Sequence, residues 1–253
     1  IQACPMPTAV LTSQTGFKSF YCNDCTDKLD YYTSEWKKLG FQPDGIYTGF
    51  LSSEKQVDKI LDFINSFETE NTLVLVDPVM GDGGRTYSLF TDALACKMKK
   101  LVTVADVITP NLTECCILCD VDYCEFIKNA DKPDFMDKIA ELGKNLLNRY
   151  GVKIVIITGI EHKDIEGTMY VQNLIASKDE VFSVSCKKIG GSYSGTGDLF
   201  ASVMFSGLLR GDTLRDTVSL AVKFIETSLR DTVALGIDRN EGIEFEKHLK
   251  ILL

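Results

Sequence analysis

A run of glycines gives way abruptly to an apolar helix in the C-terminal third of the chain. The run extends from Gly190 to Asp198, and the apolar stretch Leu199 to Phe205 follows at once. Because Gly195 and Gly197 lack β-carbons, their backbone N–H groups can converge on an anion, and the positive end of the helix dipole reinforces them. A carboxylate at Asp198 would repel an anion that is only bound, but it suits a base that deprotonates an attacking hydroxyl. The alternative is that Asp198 is simply an acid in the first turn of a helix, where acids are favoured.

Acidic and amide side chains follow two predicted strands. The segment Asp77-Pro78-Val79-Met80-Gly81-Asp82 comes directly after one strand, and Thr109-Pro110-Asn111-Leu112-Thr113-Glu114 ends the next. Since the carboxyl ends of parallel strands lie along one edge of a sheet, we expect both segments at the edge where ligands bind. Acids gathered near a bound anion need a cation, so we predict oxygen-ligated Mg²⁺ there. The alternatives are helix capping by Asn111 or Thr113 and turn stabilisation by Asp82.

Several other chemistries lack their motifs. The sequence contains no G-x-x-x-x-G-K-[ST] phosphate loop, no G-x-G-x-x-G after a first strand and no G-x-S-x-G elbow. Phosphorylation of a hydroxyl with a carboxylate base remains. Arg85, Lys187 and Lys188 are candidates for neutralising phosphate, although an exposed Lys or Arg is more often simply solvated.

Composition limits the partners. The 253 residues include 36 acidic and 27 basic side chains, which give a formal charge of −9. Such a field repels nucleic acid and anionic lipid, so we predict neither as a partner. No stretch approaches the ~20 apolar residues of a membrane span. The nine cysteines are scattered, which favours free thiols in a cytoplasmic protein over disulfides or zinc.

Apolar runs alternate with amphipathic stretches, which predicts an α/β fold of three layers, α/β/α, around a mostly parallel sheet. The predicted strands are Leu73 to Val76, Asp106 to Thr109 and Ile154 to Thr158, with a hairpin of Met169 to Ile175 and Glu180 to Cys186. The predicted helices are Tyr31 to Leu39, Ser53 to Phe67, Asp92 to Lys100, Thr113 to Leu118, Pro133 to Tyr150, Gly197 to Leu209, Thr213 to Arg230 and Glu241 to Leu252. We predict a single domain over residues 1–253. Gly83 to Tyr87 and Glu161 to Gly167 are predicted as loops, either lids or simple turns.

These motifs, in this order, resemble the ribokinase superfamily and, within it, the pyridoxal kinase branch. The family pattern has a G-T-G-D anion hole and base, a D-P-V-x-G-D segment and a T-P-N-x-x-E segment, which match Gly195 to Asp198, Asp77 to Asp82 and Thr109 to Glu114. Two further segments are similar to its substrate side, namely Leu11 to Phe17 and Thr48 to Phe50. The resemblance covers about residues 8 to 230, and it implies a ribokinase-like fold.

The resemblance implies transfer of the ATP γ-phosphoryl group to the 5′-hydroxymethyl group of pyridoxal, pyridoxine or pyridoxamine. It implies that Asp198 is the base and that the amides of Gly195, Thr196 and Gly197 hold the phosphoryl group. The other implied roles are ATP binding by Asp82, Thr109, Asn111, Glu114 and Thr158, substrate contacts by Ser13, Thr15, Phe50 and Asp198, and Mg²⁺ organised by Asp77, Asp82 and Glu114. Dimers are usual in this branch, so a homodimer is expected.

The sequence departs from the family pattern in two ways. Ile1 to Cys4 reads as the entry to a strand already inside a fold, and we expect that the family's N-terminal strand–helix segment would precede it. Gln14 replaces a histidine, and Phe50 replaces a tyrosine, so the vitamer preference stays open. The alternatives are a hydroxymethylpyrimidine or sugar kinase of the same superfamily, or a protein that binds the vitamer or nucleotide without turnover.

Overall fold

The computed structural model describes residues 1–87, 90–130 and 132–253. Its strands are β1 Ala9–Leu11, β2 Cys22–Asp24, β3 Gly45–Thr48, β4 Leu73–Val76, β5 Gly81–Asp82, β6 Arg85–Thr86, β7 Val107–Ile108, β8 Ile154–Lys163, β9 Met169–Ser177 and β10 Val181–Lys187. Its α-helices are α1 Leu29–Lys38, α2 Glu54–Phe67, α3 Asp92–Val102, α4 Leu112–Cys119, α5 Tyr123–Ile127, α6 Phe135–Tyr150, α7 Thr196–Arg210 and α8 Leu214–Leu235.

Within the described residues, six strands form one sheet in the order β10-β9-β8-β7-β4-β3. The pairs β3/β4, β4/β7 and β7/β8 are parallel, with Thr48 opposite Val76 and Val76 opposite Ile108. Helices flank the sheet, so the predicted α/β class with a mostly parallel sheet is confirmed. The hairpin of β9 and β10 is also where the sequence predicted it.

The chain divides into two compact units. The first contains residues 1–11, 22–157 and 175–181, and the second contains residues 12–21, 158–174 and 182–253. The first unit holds the motifs that follow β4 and β7, and the second holds the glycine-rich segment before α7.

The first unit has an apolar core around its central strand. Val74, Leu75 and Val76 of β4 are completely buried, as is Ile64 of α2. Full burial of such a side chain stabilises the fold by about 1.5–3 kcal/mol. β4 therefore provides a rigid base for the polar segment that follows it.

Local sequence explains why several helices begin where they do. The side chains of Ser53, Thr91 and Thr213 accept hydrogen bonds from backbone N–H groups in the first turns of α2, α3 and α8. Each satisfies a donor that the helix itself cannot pair. α7 begins differently, with a glycine at its N-cap.

The structure differs from the sequence predictions mainly at the two ends of the chain. Residues 1–7 form no strand, and the first strand is β1, because Pro5 and Pro7 offer no backbone N–H donors to a sheet. The predicted helix from Glu241 to Leu252 is wrong. Two 3₁₀ segments, Arg239–Glu241 and Glu246–Leu252, occupy that region, and Gly242 between them adopts a φ of +88° that no α-helix tolerates.

Smaller differences concern single elements. β1, β2, β3 and α5 were not predicted; each is only three to five residues long, and α5 is capped by Asp122. β8 continues to Lys163, beyond the predicted end at Thr158. The predicted loop from Gly83 to Tyr87 is largely a tight hairpin, formed by β5 and β6. No helix in the described residues has the length and apolar character of a membrane span.

Candidate active site

In the first unit, the segment after β4 and the start of α4 are joined by hydrogen bonds. Glu114 accepts one from the N–H of Met80 at 3.0 Å and one from the N–H of Asn111 at 2.8 Å. The Asn111 side chain caps α4 by accepting from the Glu114 N–H at 3.1 Å, and its amide donates to the Gly81 carbonyl at 2.8 Å. This is a capping box with an additional bond to the neighbouring segment. The two sequence motifs are therefore brought together, as expected from their places at parallel strand ends.

Glu114 is an unusual acid because it is only 4% exposed. Burial raises its pKa well above the ordinary value, and the charge of nearby Asp77 raises it further. Hydrogen bonds from the backbone of Met80, Asn111 and Gly81 act in the opposite direction. Both carboxylate oxygens already accept bonds from backbone N–H groups, so Glu114 holds the two segments in place.

Asp82 lies on the short hairpin of β5 and β6. It is exposed, and its carboxylate accepts a hydrogen bond from the N–H of Gly83 at 2.8 Å. The hairpin is fixed to α4 through the Gly84 N–H, which donates to the Thr113 hydroxyl at 2.9 Å. The capping role of Asn111 and the turn-stabilising role of Asp82 are thus both present, and neither prevents Asp82 from meeting a ligand.

Among the residues of this unit that the structure describes, two buried hydroxyls have no partner. Thr48, at the end of β3, is 6% exposed, and Thr109, just after β7, is 4% exposed. Their hydroxyl oxygens make no hydrogen bond within the part of the chain that the structure describes. Such groups are rare in folded proteins and call for an explanation at the site itself. The sequence pointed to Thr109 through its motif, whereas nothing about Thr48 indicated an unpaired hydroxyl.

In the second unit, the N-terminus of α7 is open. Gly195 is its N-cap and has a φ of +80°, a conformation that strongly favours glycine. Gly197 has no such requirement, and apart from its chain neighbours and the helix's own backbone, no heavy atom of the described residues lies within 4 Å of the place where its β-carbon would be. Glycine in a helix costs about 0.5–1 kcal/mol relative to alanine. Since nothing within the described chain requires its small size, Gly197 leaves room for the close approach of a ligand.

The loop before α7 is held by two hydrogen bonds. The Thr196 hydroxyl donates to the Tyr193 carbonyl at 3.0 Å. The Ser194 N–H donates to the Arg239 carbonyl at 3.0 Å, which links the loop to the 3₁₀ turn near the C-terminus. Tyr193 belongs to the glycine-rich run itself, whereas nothing in the sequence indicated Arg239, because a contact with a distant segment leaves no local signal.

Asp198 is exposed in the first turn of α7. It lines a cleft of about 400 Å³ together with Gly195 and the apolar residues Leu199, Ile237 and Phe245. Three further acids, Glu241, Glu244 and Glu246, belong to the same lining. The cleft offers space for part of a small organic ligand beside the helix N-terminus.

The other predicted site residues are distributed between the two units. Phe50 is half-buried in the first unit, where its carbonyl accepts a hydrogen bond from the Thr8 hydroxyl at 3.0 Å. In the second unit, the Ser13 hydroxyl donates to the Ser19 carbonyl at 3.2 Å, Thr15 is exposed, and Thr158 is half-buried on β8. Neither of these bonds bears on ligand binding, and the roles of the four residues stay predictions.

The acids fit a magnesium ion that is held mainly by a ligand. Among residues 1–87, 90–130 and 132–253, no three His, Cys, Asp or Glu side chains are arranged to hold a metal by themselves. Mg²⁺ in phosphoryl-transfer enzymes typically uses one or two carboxylates, with phosphate oxygens and water completing its shell. Asp77 and Asp82 satisfy that smaller requirement.

Comparison with known proteins places the chain in a family. The phosphomethylpyrimidine kinase family model matches residues 35–242. A candidate phosphomethylpyrimidine kinase from Bacteroides thetaiotaomicron, crystallised with pyridoxal, is 38% identical; the match covers 99% of this chain and 85% of that one, with a TM-score of 0.89.

Two relatives known from sequence extend the comparison. A candidate pyridoxal kinase of Schizosaccharomyces pombe is 29% identical over 207 residues, which are 79% of this chain and 57% of that protein. A hydroxymethylpyrimidine/phosphomethylpyrimidine kinase of Staphylococcus aureus is 27% identical over 198 residues, which are 78% of this chain and 66% of that protein. The chain thus spans less than two thirds of the length of these curated relatives. The family match and the closely superimposing fold show that the chain belongs to the phosphomethylpyrimidine kinase family, within the ribokinase-like superfamily that also contains the pyridoxal kinases.

Proposed function

We propose that this chain carries out ATP-dependent phosphorylation of the 5′-hydroxymethyl group of pyridoxal, pyridoxine or pyridoxamine. The observation that carries the proposal is the exposed carboxylate of Asp198 in the first turn of a helix whose glycine-capped N-terminus is open. A base next to an anion-binding helix end suits the transfer of a phosphoryl group to an alcohol.

In the proposed reaction, Asp198 takes the proton of the hydroxymethyl group as its oxygen attacks the γ-phosphorus of ATP. The bond from that phosphorus to the β,γ-bridging oxygen breaks, and ADP leaves. The N–H groups of Gly195, Thr196 and Gly197 stabilise the negative charge of the transferring group. The products are ADP and the 5′-phosphate of the vitamer.

The acids of the first unit have a supporting role in this proposal. Asp77 and Asp82 hold Mg²⁺ directly or through water, and Asn111 and Glu114 keep their segment in place. The metal neutralises phosphate charge.

Thr109 and Thr158 contact the nucleotide, and Ser13, Thr15 and Phe50 contact the vitamer. A homodimer is also part of the proposal, and light scattering tests it.

The similarity to the Bacteroides protein crystallised with pyridoxal supports a pyridoxal-type substrate, because that relative is similar over 99% of this chain. The second candidate is a hydroxymethylpyrimidine or phosphomethylpyrimidine kinase, which is favoured by the description of the matching family. Pyridoxal and hydroxymethylpyrimidine are both aromatic rings that carry an exocyclic hydroxymethyl group. The proposed chemistry at Asp198 is therefore the same for these two compounds.

A coupled assay of ADP release tests the proposal. The purified chain is supplied with Mg·ATP and, in separate reactions, pyridoxal, pyridoxine, pyridoxamine, hydroxymethylpyrimidine and ribose. We expect the highest kcat/KM with one of the three vitamers. Preference for hydroxymethylpyrimidine would establish the second candidate, turnover of ribose alone would indicate a sugar kinase, and binding without turnover would indicate a sensor.

A further inference from the structure

The β5/β6 hairpin is a rigid element of the first unit. Its ends are joined by the Tyr87 N–H, which donates to the Met80 carbonyl at 3.0 Å. Gly83 and Gly84 form its two-residue turn with φ values of +58° and +77°, as a type I′ turn requires. A β-carbon at Gly84 would overlap the ring of Tyr123, so the turn lies tightly against α5.

The same hairpin is attached to α4 at β5 and at its turn. The Gly81 carbonyl accepts from the Asn111 side chain, and the Gly84 N–H donates to the Thr113 hydroxyl. The two charged residues of the hairpin, Asp82 and Arg85, are exposed and take no part in this attachment. The hairpin therefore holds these two side chains on a fixed backbone, five and eight residues after Asp77.

Asp82 and Arg85 are direct cross-strand partners in the β5/β6 register. Opposite charges in such positions commonly attract each other. Here the Asp82 carboxylate accepts the Gly83 N–H instead, and no acid of residues 1–87, 90–130 or 132–253 lies within ion-pair distance of the Arg85 guanidinium. The guanidinium is left available to an external anion although a carboxylate is its neighbour in the ladder.

Arg85 is a positive charge among acidic side chains. The chain has a net charge of −9, and Asp77, Asp82 and Glu114 belong to the same pair of segments. An anionic ligand meets unfavourable charge there unless a cation accompanies it. Arginine presents a planar fork of N–H donors that matches two phosphate oxygens, which a solvated lysine does not reproduce.

We propose that Arg85 is a phosphate-binding residue that contacts the polyphosphate of the nucleotide. The inference rests on the proposed kinase function and adds to it a residue outside the three motifs that carry the family resemblance. Arg85 and Asp82 then have different roles on the hairpin: the guanidinium binds phosphate oxygens, and the carboxylate would help to hold the metal that neutralises phosphate charge.

The test compares Arg85→Gln and Arg85→Lys with the unchanged chain. Isothermal titration calorimetry measures the binding of Mg·ATP, Mg·ADP and adenosine, and the coupled assay measures KM for ATP and for pyridoxal. Lys178→Gln is the matched control, since Lys178 is an exposed cation in the turn between β9 and β10 and belongs to the same unit. Thermal unfolding of each variant checks the fold.

We expect Arg85→Gln to weaken Mg·ATP binding by about 10- to 100-fold, the usual effect of losing a hydrogen bond to a charged group. Adenosine binding and the KM for pyridoxal should stay the same. The Mg·ATP affinity of Arg85→Lys should lie between those of Arg85→Gln and the unchanged chain, because lysine keeps the positive charge but lacks the planar fork of N–H donors. Lys178→Gln should bind nucleotide like the unchanged chain.

Equal Mg·ATP affinity in Arg85→Gln and the unchanged chain would overturn the inference, and so would an equal loss in Lys178→Gln, which would reveal a general charge effect. The outcome is separable from the proposed function. A chain that binds Mg·ATP through Arg85 but phosphorylates no vitamer would retain this inference and refute the proposed function. If the unchanged chain phosphorylates pyridoxal and the Arg85→Gln variant is equally active and binds ATP equally tightly, the proposed function would stand and this inference would be refuted.

Discussion

The buried carboxylate of Glu114 accepts a hydrogen bond from the backbone N–H of Met80 at 3.0 Å, across 34 positions of sequence. The bond fixes the segment that follows β4 to the first turn of α4. It explains why an acid is buried in this unit at all: its oxygens satisfy two backbone donors that would otherwise have no partner. Asp77 and the β5/β6 hairpin are held on either side of Met80.

Replacing Glu114 with Gln tests this role. The amide nitrogen of Gln would face one of the two N–H donors, so we expect the variant to be less stable by about 1–3 kcal/mol at pH 5. The pKa of Glu114 is raised in the folded chain, so its contribution is fully present below its ordinary pKa and is lost as pH rises through the folded pKa. The stability difference between the two proteins should therefore shrink from pH 5 to pH 9 in urea unfolding experiments. A constant difference would contradict a raised pKa.

Asp198→Asn should lower kcat by a factor of about 10²–10⁴, the usual span for loss of a positioned general base. Affinity for ATP should stay the same or increase, because a negative charge near the phosphates is removed. Asp92→Asn is the matched control, since Asp92 is also an exposed acid in the first turn of a helix. Both variants should lose about 0.3–1 kcal/mol of stability from the helix dipole. If steady-state kinetics show normal turnover for both variants, Asp198 is not the general base.

Gly197→Ala should separate activity from stability. The space around a β-carbon at Gly197 is open, so we expect the variant to be as stable as the unchanged chain or more stable by about 0.5–1 kcal/mol. Phosphotransfer should fall sharply because the methyl group occupies the place of the ligand. Gly207→Ala is the control, since its β-carbon would overlap Thr217 and should lower the melting temperature instead. Normal turnover in Gly197→Ala would show that no ligand approaches there.

Thr109→Val and Thr48→Val exchange an unpaired buried hydroxyl for a methyl group of similar shape. Both should raise the free energy of unfolding by about 1–3 kcal/mol, because each removes a buried hydroxyl without a partner. Only Thr109→Val should raise the KM for ATP, because Thr109 is the one assigned to the nucleotide. Chemical denaturation and ATP titrations measure the two effects. A loss of stability in either variant would mean that its hydroxyl does have a partner.

The thiols should differ strongly in reactivity. Burial raises the pKa of Cys116 to about 11 and that of Cys119 to about 11, while Cys96 and Cys124 are exposed. Since the thiolate is the reactive form, we expect Cys116 and Cys119 to react with iodoacetamide at pH 8 about 100-fold more slowly than the exposed pair. Mass spectrometry of timed samples measures this, and labelling in urea should remove the difference. Uniform labelling of the folded chain would contradict the buried position of α4.

The extent to which each element could be predicted follows from the range of its interactions. The strand at β4 and the helices α2, α3 and α6 were predicted to within two residues, because a continuous apolar run or an amphipathic repeat with a capping residue is local information. The region after Glu241 was predicted as one helix from its composition and is instead two 3₁₀ segments. Its interactions are distant ones, such as the Glu244 N–H that donates to the Thr232 hydroxyl at 2.9 Å.

The candidate site divides in the same way. Its motifs could be found in the sequence because glycine, aspartate and asparagine occur there at spacings that backbone geometry and helix polarity require. The sequence by itself therefore determined the α/β class, the glycine-rich start of α7 and the two acidic segments. Only the tertiary structure decided that Glu114 pairs with Met80 and that Arg85 faces Asp82 without pairing. The bond between Glu114 and Met80 depends on which segments fold against each other, because residues 34 positions apart leave no periodic trace in the chain. Asp82 and Arg85 are only three positions apart, but the geometry of the folded hairpin decides which partner the Asp82 carboxylate takes.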